Sequence, residues 1–192
     1  MTNIYTRTGD KGETSLFSGE RVLKNNHFIE ALGAVDECNS SLGVAISHLQ
    51  ANEKDLKDQL TSIQHALFDV GASLATPLTS SSLKKIEKTR FDEESITELE
   101  KWIDTMEDKL VPLKTFILPS GHPSGAMLHF SRALCRRAER MIIPLIQNKQ
   151  IPNSVLVYLN RLSDYLFVAA RFANFSHQVE ETHWLPHKVR EH

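Results

Sequence analysis

A chain of 192 residues with 41% hydrophobic and 24% charged side chains has an ordinary globular composition, with room for one large domain or two very small ones. Its formal net charge of −2 and pI near 6.5 argue against a general polyanion-binding surface, and no basic stretch is interleaved with aromatics as in a single-strand groove, so nucleic acid is not an expected partner. No apolar run approaches the length of a membrane span, and residues 1–12 lack a hydrophobic signal core, so a soluble, unprocessed cytoplasmic protein with no membrane partner is expected.

Residues 4–26 show no helical period and read as a structured loop with short strands. Gly9-Asp10-Lys11-Gly12 is a turn signal, surrounded by the hydroxyls of Thr6, Thr8, Thr14 and Ser15. Its backbone N–H groups can form an anion-binding nest with Arg7, Lys11 and Lys24 as counter-charges. Taken alone, the turn reads first as a hairpin with a polar turn, and the density of hydroxyls and cations around it narrows that preference. A P-loop is excluded, because the Gly-Lys-Ser/Thr ending and its helix are missing.

From Phe28 to Leu49 the residues Phe28, Leu32, Val35, Leu42, Ile46 and Leu49 trace one helical face. Beside it runs a stripe of small residues, Gly33, Ser40, Gly43 and Ser47, interrupted by Asp36. An acid buried there would need a cation, for which an arginine further along the chain is a candidate; a surface aspartate is the alternative. A second helix is expected from Asn52 to Ala75, then a loop from Thr76 to Lys85, then a third helix from Asp92 to Leu110 with an acidic first turn and Pro112 beyond its end.

Residues 113–125 combine an apolar strand-like segment containing Phe116 with a turn marked by proline and glycine. Core packing is the default for such a phenylalanine, and solvation the default for His122 in the turn. The next helix carries Ser131-Arg-Ala-Leu-Cys-Arg-Arg-Ala-Glu-Arg140. At about 100° per residue, Arg132, Arg136 and Arg140 form one stripe, with Arg137 off it, and Met127, Phe130, Leu134, Ala138, Met141 and Leu145 line the opposite face. Such a stripe is either a solvated face salt-bridged through Glu139 or a row of forks waiting for an anion.

A last helix from Asn153 to Ser176 places Asn160, Asp164 and Arg171 on its polar face. The tail holds His177, His183, His187 and His192, without the second ligand pair that a zinc site requires, so no protein metal site is expected. Cys38 and Cys135 fall in helical patterns and read as buried free thiols. The economical architecture is all-α: a five-helix bundle in one domain, with an irregular arm over 1–26, the bundle over 27–176 and a tail over 177–192.

Six stretches in order, Thr6-Arg-Thr-Gly-Asp-Lys-Gly-Glu-Thr-Ser15, Gly19-Glu-Arg-Val-Leu-Lys24, Gly33-Ala-Val-Asp-Glu37, Phe116-Ile-Leu-Pro119, Ser131 to Arg140 and Asn160-Arg-Leu-Ser-Asp164, closely resemble the PduO-type ATP:cob(I)alamin adenosyltransferases. The resemblance implies a homotrimer with ATP and the corrinoid at subunit interfaces. It implies that Thr6, Arg7, Thr8, Gly9, Thr14 and Ser15 hold the nucleotide, with Lys24 on the phosphates. By the same resemblance Arg136, Arg137 and Arg140 grip the triphosphate, Mg²⁺ accompanies it, Glu139 is a further nucleotide-binding residue, and Asn160 contacts the nucleoside. Arg132 would pair with Asp36, and Phe116 would lie below the corrin ring and displace the lower axial ligand. The implied reaction is attack by cobalt(I) on C5′ of ATP, yielding adenosylcobalamin and inorganic triphosphate. A non-catalytic ATP- and corrinoid-binding delivery protein is the alternative, and a cobalamin reductase and an adenosylcobalamin-dependent enzyme are implied partners. Two positions depart from the family pattern: Arg7 stands where lysine is frequent, and His122-Pro123 follows Gly121 where a further glycine is common.

Overall fold

The computed structural model describes Tyr5 and residues 7–187. Five long helices form an all-helical bundle: α1 (His27–Ser47), α2 (Lys54–Leu74), α4 (Glu94–Glu107), α5 (Pro123–Gln147) and α6 (Asn153–Ser176). A sixth, α3 (Leu83–Lys88), stands in the stretch expected to be loop up to Lys85, and is too short to produce a periodic signal. Two short strands, β1 (Glu13–Ser15) and β2 (Arg21–Leu23), pair antiparallel within the arm, Thr14 opposite Val22.

The helices run α2, α1, α5, α6 and α4 across the bundle, with α1 on α5 and α5 on α6 as the main seams. The α1–α5 seam is built on small residues: the Ser41 hydroxyl donates to Ser131 Oγ at 2.8 Å, and Ser131 donates to Met127 O at 3.0 Å. Those buried hydroxyls are satisfied, so the helices approach closely at no desolvation penalty. Cys38 and Cys135 are buried free thiols in the same seam. A hydrogen bond to Cys38, and then burial, push the Cys135 thiol well above its ordinary pKa, which leaves it unreactive.

The buried face of α5 is Leu128, Ser131, Cys135, Ala138, Ile142 and Leu145, turned from the one expected; Phe130 stays 54% exposed. Asn174 of α6 fixes the start of α5, accepting from His122 N at 2.9 Å and donating to Ser120 O at 3.1 Å. A Cβ at Gly121 or Gly125 would run into this amide, and Gly121 has a φ of +114°, so glycine is required there. His122 is only partly exposed and is engaged: its ring caps α5 by accepting from Ser124 N, and it stacks on His177 with centroids 3.5 Å apart. Pro123 takes the first turn of the helix, where no donor is lost, so the departure at His122-Pro123 is a capping device.

Candidate active site

The arm is tied to the bundle at its base. Leu16 is buried, Phe17 N donates to Ala75 O at 2.9 Å beyond α2, and Lys85 Nζ donates to Phe17 O and Ser18 O, both at 2.9 Å. Above this base the chain folds into the expected turn, with Arg7 at φ 59° and Gly12 at φ 80°. Gly12 N donates to Gly9 O at 3.1 Å, and Lys24 N to Gly12 O at 2.9 Å. The Lys24 ammonium lies against Gly9, 3.3 Å from where a Cβ would be. Arg21 braces the turn, donating to Thr8 O at 3.0 Å and pairing with Glu13 at 3.1 Å. Thus Arg7, Thr8, Gly9, Thr14, Ser15 and Lys24 share one exposed arm, whereas Thr6 lies outside the described residues.

The arginines of α5 fall into three states. Arg136 and Arg140 are exposed and form no salt bridge among the described residues. Arg137 is turned toward α1, where Glu37 holds its guanidinium, so it does not stand with them. Arg132 is half-buried; burial, and then the Arg136 charge, push its pKa down, and its Nε lacks a partner. Beside Arg140, the Glu139 carboxylate accepts from Asn160 Nδ2 at 2.9 Å, which brings together two of the expected nucleotide contacts.

Arg132 opens into a cavity of about 770 Å³ lined by Phe116, Ile117, Phe167, Trp184 and Pro186. Phe116 is not core: its side chain is 81% exposed on the lip of this cavity. The Arg132 guanidinium stands 6.0 Å from the Phe167 ring centroid. His129, 3% exposed beside Arg132, has neither ring nitrogen bonded, and burial together with the Arg132 charge lowers its pKa to about 4. A neutral imidazole next to a cation is the favoured state there.

Asp36 does not meet Arg132 within the chain. It is exposed on α1 and lines a second cavity, about 720 Å³, with Phe17, Gly33, Asn39, Phe68 and Gly71. The acid that reaches α5 is its neighbour Glu37, because the residue after Asp36 is rotated by about 100° onto the seam. The expected small-residue stripe is therefore an open face of α1, with Phe68 beside it 72% exposed. Among the described residues no group of three His, Cys, Asp or Glu is placed to hold a metal ion, and His183 is bonded to Thr115 Oγ1 at 3.0 Å.

An all-helical bundle with a hydroxyl- and cation-bearing arm, unpaired arginines on one helix and a separate apolar cavity defines a class of protein that handles a polyanion and a large apolar group. The chain belongs to the cobalamin adenosyltransferase family, whose model matches residues 4–173. It is 45% identical over 189 residues to the corrinoid adenosyltransferase of Mus musculus, spanning 98% of this chain and 80% of that protein. It is 43% identical to the corrinoid adenosyltransferase of Bacillus subtilis over 89% of this chain and 86% of that one. Its fold matches a variant PduO-type ATP:corrinoid adenosyltransferase from Lactobacillus reuteri complexed with cobalamin and ATP, at a TM-score of 0.88 and 37% identity, over 96% of this chain and all of that one.

Proposed function

We propose that this protein transfers the 5′-deoxyadenosyl group of ATP to cob(I)alamin, giving adenosylcobalamin and inorganic triphosphate. The observation that carries the reading is the coexistence, in a member of this family, of unpaired Arg136 and Arg140 with an apolar cavity that presents Phe116. The cobalt(I) electron pair forms the bond to C5′, and the C5′–O bond breaks with its electrons passing to the triphosphate. The protein supplies no nucleophile. Its residues orient C5′ and stabilise charge that grows on the leaving group, a task for preorganised guanidinium forks.

In this reading Thr6, Arg7, Thr8, Gly9, Thr14 and Ser15 hold the nucleotide, Lys24 meets the phosphates, and Asn160 with Glu139 faces the nucleoside end. Arg136 and Arg140 bind the triphosphate directly, and Arg137 acts through its pair with Glu37. Mg²⁺ fits as a companion of ATP: a cation held mainly by phosphate oxygens and water needs at most one or two protein carboxylates. When bound it neutralises phosphate charge. Phe116 excludes the lower axial ligand of cobalt(II) and so eases its reduction.

No hydrogen bond or ion pair among the described residues joins the arm to Arg136 or Arg140, and Asp36 and Arg132 face different cavities. Both facts support a site completed by a second copy, with Asp36 of one chain meeting Arg132 of the next; the homotrimer is what the family resemblance implies. The domain spans the described chain as arm, bundle and tail, works in the reducing cytoplasm suited to its free thiols, and draws on a reductase and an adenosylcobalamin-dependent enzyme as partners.

Purified protein incubated with ATP, Mg²⁺ and chemically reduced cobalamin is expected to form a light-sensitive cobalt–carbon product and triphosphate. ADP and phosphate instead would make it an ordinary ATPase, and binding of both substrates without turnover would make it a delivery protein.

A further inference from the structure

Phe116 poses a positioning problem. At 81% exposure its ring is not held by packing, so the backbone around it must set where it points. That backbone is bonded to the C-terminal segment, which lies beyond the 4–173 span of the family match. Leu118 N donates to Thr182 O at 2.8 Å, Trp184 N donates to Phe116 O at 2.8 Å, and Ile117 forms an isolated antiparallel bridge with His183. Thr115 Oγ1 and His183 Nδ1 add a side-chain bond at 3.0 Å.

These contacts are largely exposed, and an isolated bridge does not offset the backbone entropy of ordering two irregular segments. Arg171 supplies what is missing. It lies on α6, 6% exposed, inward of the polar face expected for it. Its guanidinium donates in two directions: Nη2 to Val111 O at 2.7 Å, and Nε and Nη2 to the Glu181 carboxylate at 2.8 and 3.3 Å. One fork thus holds the start of the Phe116 segment and the C-terminal segment against the same helix. A lysine could not reach both with fixed geometry. A buried ion pair is weak evidence for stability, and its best-attested use is to fix one arrangement among several.

We infer that Arg171 and Glu181 are positioning residues: their buried pair locks residues 178–185 as a strap over residues 114–118 and thereby sets Phe116 at the lip of the cavity. Trp184, carried by the strap, and Pro186, just beyond it, complete the cavity wall. The inference rests on the adenosyltransferase reading for its consequence, though not for its geometry.

The test compares wild type with Glu181→Gln, Arg171→Lys and His183→Ala in the full-length protein. Three readouts are taken: amide exchange of residues 114–118, the spectrum of cob(II)alamin with saturating ATP, and KM for ATP. Glu181→Gln is expected to speed exchange at 114–118 and lower both kcat and the four-coordinate cob(II)alamin signal by at least about tenfold, since an ångström of misplacement costs up to about a hundredfold. KM for ATP should not change, because the strap is bonded to residues 115–118 and to α6 rather than to the arm or to Arg136 and Arg140. Arg171→Lys should follow Glu181→Gln. His183→Ala, at an exposed position that does not endanger folding, should move the same readouts by less. Wild-type exchange at 114–118 in Glu181→Gln and His183→Ala overturns the strap, and so does a fall in kcat matched by an equal loss of ATP affinity. If wild type makes no adenosylcobalamin, the functional reading fails while amide exchange still decides the strap.

Discussion

Arg136 and Arg140 on α5 and Arg171 on the neighbouring α6 carry the same side chain in opposite circumstances. Arg171 is buried and bonded through Nε and Nη2 to Glu181 and Val111. Its charge is spent inside the fold, and it can only organise. Arg136 and Arg140 are exposed on a helix whose nearby Glu139 is engaged by Asn160. They are free for an anion. Arg132 stands between these cases, with one face on an apolar cavity and an orphaned Nε. In the proposed reading, the difference sets triphosphate chemistry on an open polar surface and cobalt chemistry against an apolar wall, where water would compete as an axial ligand.

Removing a free arginine should do the most damage to transfer from cob(I)alamin itself. Arg136→Ala is expected to lower kcat about a hundredfold in adenosylcobalamin formation, as loss of one preorganised donor to developing negative charge commonly does. Arg136→Lys should recover only part of it, because a point charge does not replace a fork. Equal rates for all three proteins would return the stripe to a solvated face. On the apolar side, Phe116→Ala should abolish use of cob(II)alamin while leaving ATP affinity intact. Its thermal midpoint should barely move, since the ring is already exposed.

The face between the regions is probed by Asp36→Asn, which is expected to impair corrinoid turnover or trimer assembly. Light scattering and steady-state kinetics that both match wild type would remove the proposed pair with Arg132. A pH effect comes from His129, whose pKa is lowered from 6.5 to about 4 by burial and then by Arg132. The unfolded chain then binds more protons than the folded one, so stability from this group is present above pH 6.5 and is lost as pH falls toward 4. His129→Phe should therefore flatten the decline in melting temperature between pH 6.5 and 4.5. The smallest effect is Arg137→Ala: both partners of the Glu37 pair are about half exposed, so the loss should be at most about 1 kcal/mol in thermal unfolding.

The five long helices were legible because each repeats apolar residues over several turns. The turn of the arm was legible as punctuation, through Gly9 and Gly12, whereas the hairpin itself turns at residues 16–20, where Gly19 takes a φ of 97°. What stayed hidden has physical causes. α3 spans Leu83 to Lys88, under two turns, and leaves no period to count. The rotation of α5 is hidden because Ser131 reads as polar, yet its hydroxyl is satisfied by Ser41 and Met127 in the seam. Arg137 with Glu37, and Arg171 with Glu181, are tertiary pairs that helical spacing within one element does not reveal. The strap over Phe116 rests on backbone bonds, which side-chain patterns do not encode. Neither Asp36 nor Phe116 could be placed by periodicity alone, and both took their expected roles from the family resemblance.

The most direct measurement titrates protein-bound cob(II)alamin with ATP and follows the visible spectrum, because the polar surface and the apolar cavity must act as one site. Wild type should lose the axially ligated spectrum as ATP saturates, whereas Phe116→Ala should bind ATP with the same affinity and keep that spectrum. Identical spectral changes in the two proteins, or none in wild type, would contradict the division of labour between Arg136 with Arg140 and the Phe116 cavity.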